Sequence, residues 1–216
     1  MCRYLINIFL LYTILTTSGI SQGANQFLGA KEKRQYLESM QQKLAPLKQL
    51  KANFAQTRKI SAFKDELISH GIFYFKFPSQ LRWEITKPIK SLIIFNENIA
   101  KKYRFKDGSW SPRDFAGAEF MKIVMEDILS WTKGNFNKTS ETYDLKVSKQ
   151  NEIILTPKST KTTTFISAIE LTVDPKTKYI KKVLIKDPGN DHVTIQFNSF
   201  SHKEFSDKLL FKEPNK

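Results

Sequence analysis

Proton transfer near neutral pH falls first to histidine, and this chain has three, His70, His192 and His202. They stand far apart, and none sits in a His-Glu-x-x-His or similar metal-ligand frame. Glycoside chemistry would need two carboxylates; Glu84 and Glu97 could pair only through a fold contact that their spacing does not impose. No Gly-x-Ser-x-Gly elbow and no phosphate-cradling Walker loop occurs. The single cysteine, Cys2, lies in the N-terminal leader, so disulfides, thiol nucleophiles and cysteine metal sites are excluded from the rest of the chain. The expectation is a protein that is not an enzyme, with no catalytic residue, no cofactor and no metal.

The informative constellation is apolar. Seventeen phenylalanines are many for 216 residues. Several gather on Gly71-Ile-Phe-Tyr-Phe-Lys-Phe77, followed by Pro78-Ser-Gln-Leu-Arg-Trp-Glu84. The pair reads as a β-hairpin. On its second strand Leu81, Trp83 and Ile85 fall on one face, Arg82 and Glu84 on the other. The first strand is apolar on both faces, so one face meets a core and the other lines an apolar space. Phe73, Phe75, Leu81, Trp83, Ile85 and Ile94 are the candidate cavity wall; Ile72 and Tyr74 replace Phe73 and Phe75 if the strand phase is the opposite one. Residues 115–131 then break the strand rhythm. Phe120, Met121, Val124, Met125 and Ile128, with Ile123, Leu129 and Trp131, surround almost the whole circumference of a helix, the pattern of a buried one. Its methionines suit a surface that repacks. It is either a plain core helix or a lid that fills the cavity when no ligand is bound.

The positioning elements follow from periodicity. Residues 31–44 form an amphipathic helix, with Tyr36, Leu37, Met40 and Leu44 at three- and four-residue steps and Pro46 ending it. Residues 50–105 read as an antiparallel meander, with strands at 92–95 and 100–105 and turn chemistry at Asp107-Gly108. Five further strands are expected at 143–147, 152–156, 165–173, 179–186 and 193–200. No repeat, low-complexity tract or domain-scale linker interrupts them.

The formal charge is +14 and the pI near 9.7. Such a balance fits nucleic acid, anionic lipid head groups or an acidic partner. The leader narrows the choice. Residues 1–21 carry Arg3, an apolar run too short to span a membrane comfortably, and small residues at Thr17, Ser18, Gly19 and Ser21. This is signal-peptide layout with cleavage near 21–23, leaving a single domain, residues 24–216. Export makes nucleic acid an unexpected partner. The lysines form either solvated strand faces or a basic rim that meets lipid phosphates or an acidic protein.

Phe54-x-Gln56-x-Arg58, the Gly71-led aromatic strand, Pro78, Leu81-Arg82-Trp83-Glu84 and Lys87-Pro88 resemble the LolA-type periplasmic carriers of outer-membrane lipoproteins. The likeness continues through Phe120-Met121 to Trp131, Leu155-Thr156-Pro157-Lys158, Asp187, Thr194 and Phe197 to Phe211 and Pro214. Order and spacing carry it, not any one motif. The resemblance implies an unclosed antiparallel β-barrel with helices covering a hydrophobic cavity as a lid. It also implies a monomeric periplasmic shuttle that takes acylated lipoproteins, or other lipids, from an inner-membrane ABC release complex to an outer-membrane acceptor. Two departures bear on this. Well-known members have Arg before the hairpin proline, tied to the lid; here Phe77 stands at that latch position, where only apolar contact is expected. Longer members continue past Pro214 with an extension linked to targeting, so a LolA-like carrier or sensor of another lipid or glycolipid is the alternative.

Overall fold

The computed structural model describes residues 26–96, 99–114, 126–207 and 209–214. Eleven antiparallel strands follow one another in a single sheet: β1 (Gln49–Lys59), β2 (Leu67–Lys76), β3 (Gln80–Lys87), β4 (Ser91–Asn96), β5 (Ile99–Lys106), β6 (Ser109–Arg113), β7 (Tyr143–Val147), β8 (Glu152–Pro157), β9 (Ala168–Val173), β10 (Ile180–Lys186) and β11 (His192–Ser201). Their spatial order is β6-β5-β4-β3-β2-β1-β11-β10-β9-β8-β7, so each strand pairs with a chain neighbour except at the β1–β11 seam. The sheet is not closed: β6 and β7 are its edges. This is the mainly β, unclosed barrel that the sequence pattern and the resemblance lead one to expect.

Each edge has its own cover. β6 contains Pro112, which has no N–H to offer. Beside β7, Phe27 bridges Ser148, the Leu28 amide donates to Val147 O at 2.8 Å, and Lys33 Nζ donates to Leu145 O at 3.2 Å.

Alternation puts one apolar face inside. Leu50, Ala52 and Phe54 of β1, Phe73 and Phe75 of β2, and Leu81 and Trp83 of β3 are buried together with Leu145, Val147, Ile153, Leu155, Ile169, Leu171, Val183 and Ile195 of the other wing. Helix α1 (Ala30–Leu44) lays Met40 and Leu44 against this face. Residues 126–132 are helical and add Leu129 and Trp131. The turn that follows touches α1 closely: Gly134 has φ 66°, and a Cβ there would stand 2.9 Å from Met40 O. Two further short helices, Asn137–Thr142 and Thr160–Thr163, have no apolar periodicity to announce them. The strand expected from residue 165 starts at Ala168, after this second helix and an exposed Phe165.

The outer face of the β2–β3 hairpin is covered as well. Arg82, on the face opposite Leu81 and Trp83, is 1% exposed. Its Nε meets Glu84 Oε2 at 2.9 Å, and its Nη1 donates to Leu210 O at 3.0 Å and Glu213 O at 3.1 Å. Tyr74 meets Phe205 edge-on, with ring centroids 5.6 Å apart. The C-terminal segment thus clads the second apolar face of β2.

Candidate apolar binding site

The interior is divided by a cluster of aromatic rings. Gly71 lies opposite Phe54 and Ile85, and an added Cβ would fall 2.3 Å from Phe54 Cζ and 2.2 Å from Glu84 O. Without a side chain there, the Phe54 ring lies across the strand and packs on Trp83 at a centroid distance of 4.2 Å. Phe73 and Phe197 meet Trp83 edge-on at 6.0 Å each. The register β2–β3 pairs Phe73 with Trp83 and Phe75 with Leu81, which sets the strand phase: Phe73 and Phe75 point inward, Ile72 and Tyr74 outward.

On one side of this cluster is a small chamber of about 40 Å³ lined by Leu44, Leu50, Ile128, Trp131, Ile180 and Phe200 among others. On the other side a cavity of about 290 Å³ opens between the two wings of the sheet. Trp83, Ile85 and Ile93 form one wall and Ile185, Val193 and Ile195 the other, with Arg58 and Lys102 at its polar margin. That volume sits at the lower limit of small-molecule sites, about 300–1,000 Å³. Ile85 and Ile93 are only partly buried, so this wall is already accessible.

Of the sequence-derived wall residues, Phe73, Phe75, Leu81, Trp83 and Ile85 therefore share the interior face. Ile94 does not: it pairs with Arg82 and lies on the opposite face, while its neighbours Ile93 and Phe95 look inward. Val193, Ile195 and Phe197 of β11 belong to the interior but were not among the sequence-derived wall residues; the β1–β11 seam sets them opposite Arg58, Gln56 and Phe54 in turn. Among the lid residues Ile128 lines the chamber. Phe120, Met121, Val124 and Met125 lie outside the described residues, as does Glu97.

Residues 126–132 are fastened at both ends. Tyr143 Oη donates to Asp127 Oδ2 at 2.8 Å, and burial pushes the Asp127 carboxyl up to about 6, against the lowering effect of Tyr143 and Lys138. Trp131 Nε1 donates to Thr139 Oγ1 at 3.1 Å in a buried bond. Beyond the last helical turn, Lys133 Nζ donates to Ala45 O at 2.9 Å and Leu47 O at 2.6 Å. Partial burial lowers its pKa from the usual lysine value. The same ammonium stands 4.7 Å from the ring centroid of Phe77. Purely apolar contact at the latch position is thus corrected: Phe77 accepts a cation–π contact, and the cation comes from the turn that ends the helical segment. A basic cleft of about 870 Å³ opens beside it, bordered by Lys43, Lys48, Lys76 and Lys176, with Glu204 and the hydrogen-bonded pair Tyr179 and His202.

An unclosed antiparallel sheet, wrapped round an apolar interior and covered by helices, places the molecule among the open half-barrels. The family model described as "Outer membrane lipoprotein carrier protein LolA" matches residues 45–213, so the chain belongs to that family. Solved structures of similar fold include a DUF1329 family protein from Desulfovibrio piger, at 13% identity and TM-score 0.47, covering 84% of this chain and 96% of that one. A LolA superfamily protein from Nitrosomonas europaea gives 12% identity and TM-score 0.44 over 82% and 97% of the two chains. The Mycobacterium tuberculosis lipoprotein LppX gives 9% and 0.45 over 82% and 100%. No curated protein matches the chain.

Proposed function

We propose that the protein is a monomeric periplasmic carrier that holds the acyl chains of lipoproteins inside the half-barrel and moves them from the inner to the outer membrane. It would receive them from an ABC release complex and deliver them to an outer-membrane acceptor, with no covalent chemistry of its own. The observation that carries this reading is the apolar cavity between Trp83, Ile85 and Ile93 on one wing and Ile185, Val193 and Ile195 on the other, in a chain of the LolA family. Each methylene withdrawn from water there contributes about 0.8 kcal/mol. Several chains need more room than about 290 Å³, and the chamber on the other side of the aromatic cluster adjoins the helical segment held by Lys133 and Asp127. Displacing that segment would expose Leu50, Phe73 and Phe200 to cargo in place of Ile128 and Trp131. Cargo and segment then compete for one surface, which keeps release within reach.

Native mass spectrometry of protein taken from its own periplasm tests this. A bound triacylated polypeptide is the expected adduct. A free lipid would shift the assignment to a carrier of another lipid, and an empty protein under non-dissociating conditions would overturn cargo carriage.

A further inference from the structure

The strand ends define two rims, and one of them collects exposed apolar side chains. β1 ends, β2 begins, β3 ends, β4 begins and β9 begins at the same rim, as the antiparallel registers require. Among the described residues eight large hydrophobic side chains are exposed, and five of them, Phe63, Leu67, Ile68, Ile89 and Phe165, stand on this rim or its loops. Single exposed hydrophobics need no explanation, but a shared cluster does. Residues 61–68 are exposed without interruption. Arg58, Lys59, Lys64, Lys87 and Lys90 alternate with the apolar tips, and all five are exposed. Two acids on this rim accept hydrogen bonds from its own loops. Asp191 Oδ1 accepts from the Ser61 amide at 2.7 Å and its hydroxyl at 2.6 Å; Asp187 Oδ1 accepts from the Gly189 and Asp191 amides at 2.7 and 2.9 Å. Asp65 and Glu66 lie within the β1–β2 loop; counted with Asp187 and Asp191, these four carboxylates are outnumbered by the five cations. The cavity between the wings opens at this same rim, where Arg58, Ile85, Ser91 and Val193 line it.

We propose that this rim docks onto an anionic lipid surface, with Phe63, Ile68 and Ile89 entering the interface and Arg58, Lys59, Lys64, Lys87 and Lys90 meeting head-group phosphates. Apolar tips ringed by lysines bind such surfaces by two additive terms, burial and charge. Among the described residues no helix is long and apolar enough to cross a membrane, so contact is with the surface. Docking in this orientation presents the mouth of the cavity to the bilayer.

The test is sedimentation of the full chain with vesicles of equal parts phosphatidylglycerol and phosphatidylcholine, alongside phosphatidylcholine alone. Binding is expected only with the anionic vesicles, weakening at least about tenfold in half-molar salt as charges are screened. Deuterium exchange should slow at residues 60–68 and 87–90 on addition of anionic vesicles, a readout independent of residues 1–25. The variant Phe63→Ser/Ile68→Ser/Ile89→Ser should lose at least about tenfold in affinity through lost apolar burial. Its melting temperature should hold, because these side chains are exposed. Lys59→Glu/Lys64→Glu gives a second variant that leaves the apolar tips in place and should weaken binding in low salt. Equal binding to both vesicle types, or unchanged exchange at the rim loops, overturns the proposal. So would a soluble protein that protects the rim when anionic vesicles do not.

Discussion

Replacing Lys133 with methionine should loosen the helical segment and tighten binding of an acyl probe. The substitution keeps a flexible apolar stem and removes the ammonium from Ala45 O at 2.9 Å, Leu47 O at 2.6 Å and the Phe77 ring at 4.7 Å. A hydrogen bond from a charged donor is worth about 1.5–3 kcal/mol when buried, and this half-exposed site reduces each to about 1 kcal/mol or less. The ring contact adds about 0.5 kcal/mol. About 2 kcal/mol in all corresponds to a roughly thirtyfold rise in the open fraction. Where binding requires the open form, apparent affinity follows that fraction, so the dissociation constant for a fluorescent fatty acid such as parinaric acid should fall by up to about thirtyfold. The melting temperature should fall together with it, by about 4–8 °C for a chain of this size. Phe77→Ala should reproduce only the ring's share, roughly twofold in affinity. A Lys133→Met protein that melts earlier yet binds the probe within twofold of wild type would refute the argument, since the segment would then be structural and not a gate.

Other perturbations read other parts of the molecule. Gly71→Ala brings a Cβ within 2.3 Å of Phe54 Cζ and 2.2 Å of Glu84 O; urea denaturation should show a loss of about 3 kcal/mol or more, with the aromatic cluster displaced. Arg82→Met strands Glu84 and two carbonyls of the C-terminal segment; about 3 kcal/mol should be lost, with faster amide exchange around Leu210 as the local signature. Burial raises the Asp127 carboxyl to about 6 in the folded protein, above the usual carboxylate value of about 4. Its contribution to stability is therefore complete below pH 4 and is lost as pH rises through 6. Asp127→Asn should flatten that part of the stability–pH curve and stabilise the protein at pH 8, measured by denaturant titration across pH.

Much of the interior was legible because strands alternate with period two. Leu81, Trp83 and Ile85 had only one face to share, and residues 143–147 and 152–156 show the same rule. The period says nothing where both faces are apolar. Residues 92–95 are such a run, and Ile94 went to the face opposite Ile93 because its register partner is Arg82. The β2 phase was equally open until pairing with Trp83 settled it. The burial of Arg82 had no signal in the sequence, since nothing near it foretells the C-terminal segment above it. The latch was legible only in part. Phe77 rules out an arginine-type donor at that position, but its partner Lys133 arrives from a turn held to α1 by the close approach of Gly134. That contact is tertiary, with no local signature.

The edges of the sheet bear on behaviour in a crowded compartment. A barrel that stays unclosed leaves two rows of backbone donors and acceptors, which recruit strands from neighbouring copies. Here Pro112 interrupts one row, and Phe27 and Leu28 occupy part of the other with Lys33 above them. The molecule can therefore keep its mouth open without seeding strand-to-strand polymers. Trimming residues 26–33 should convert a dispersed protein into one that assembles through β7.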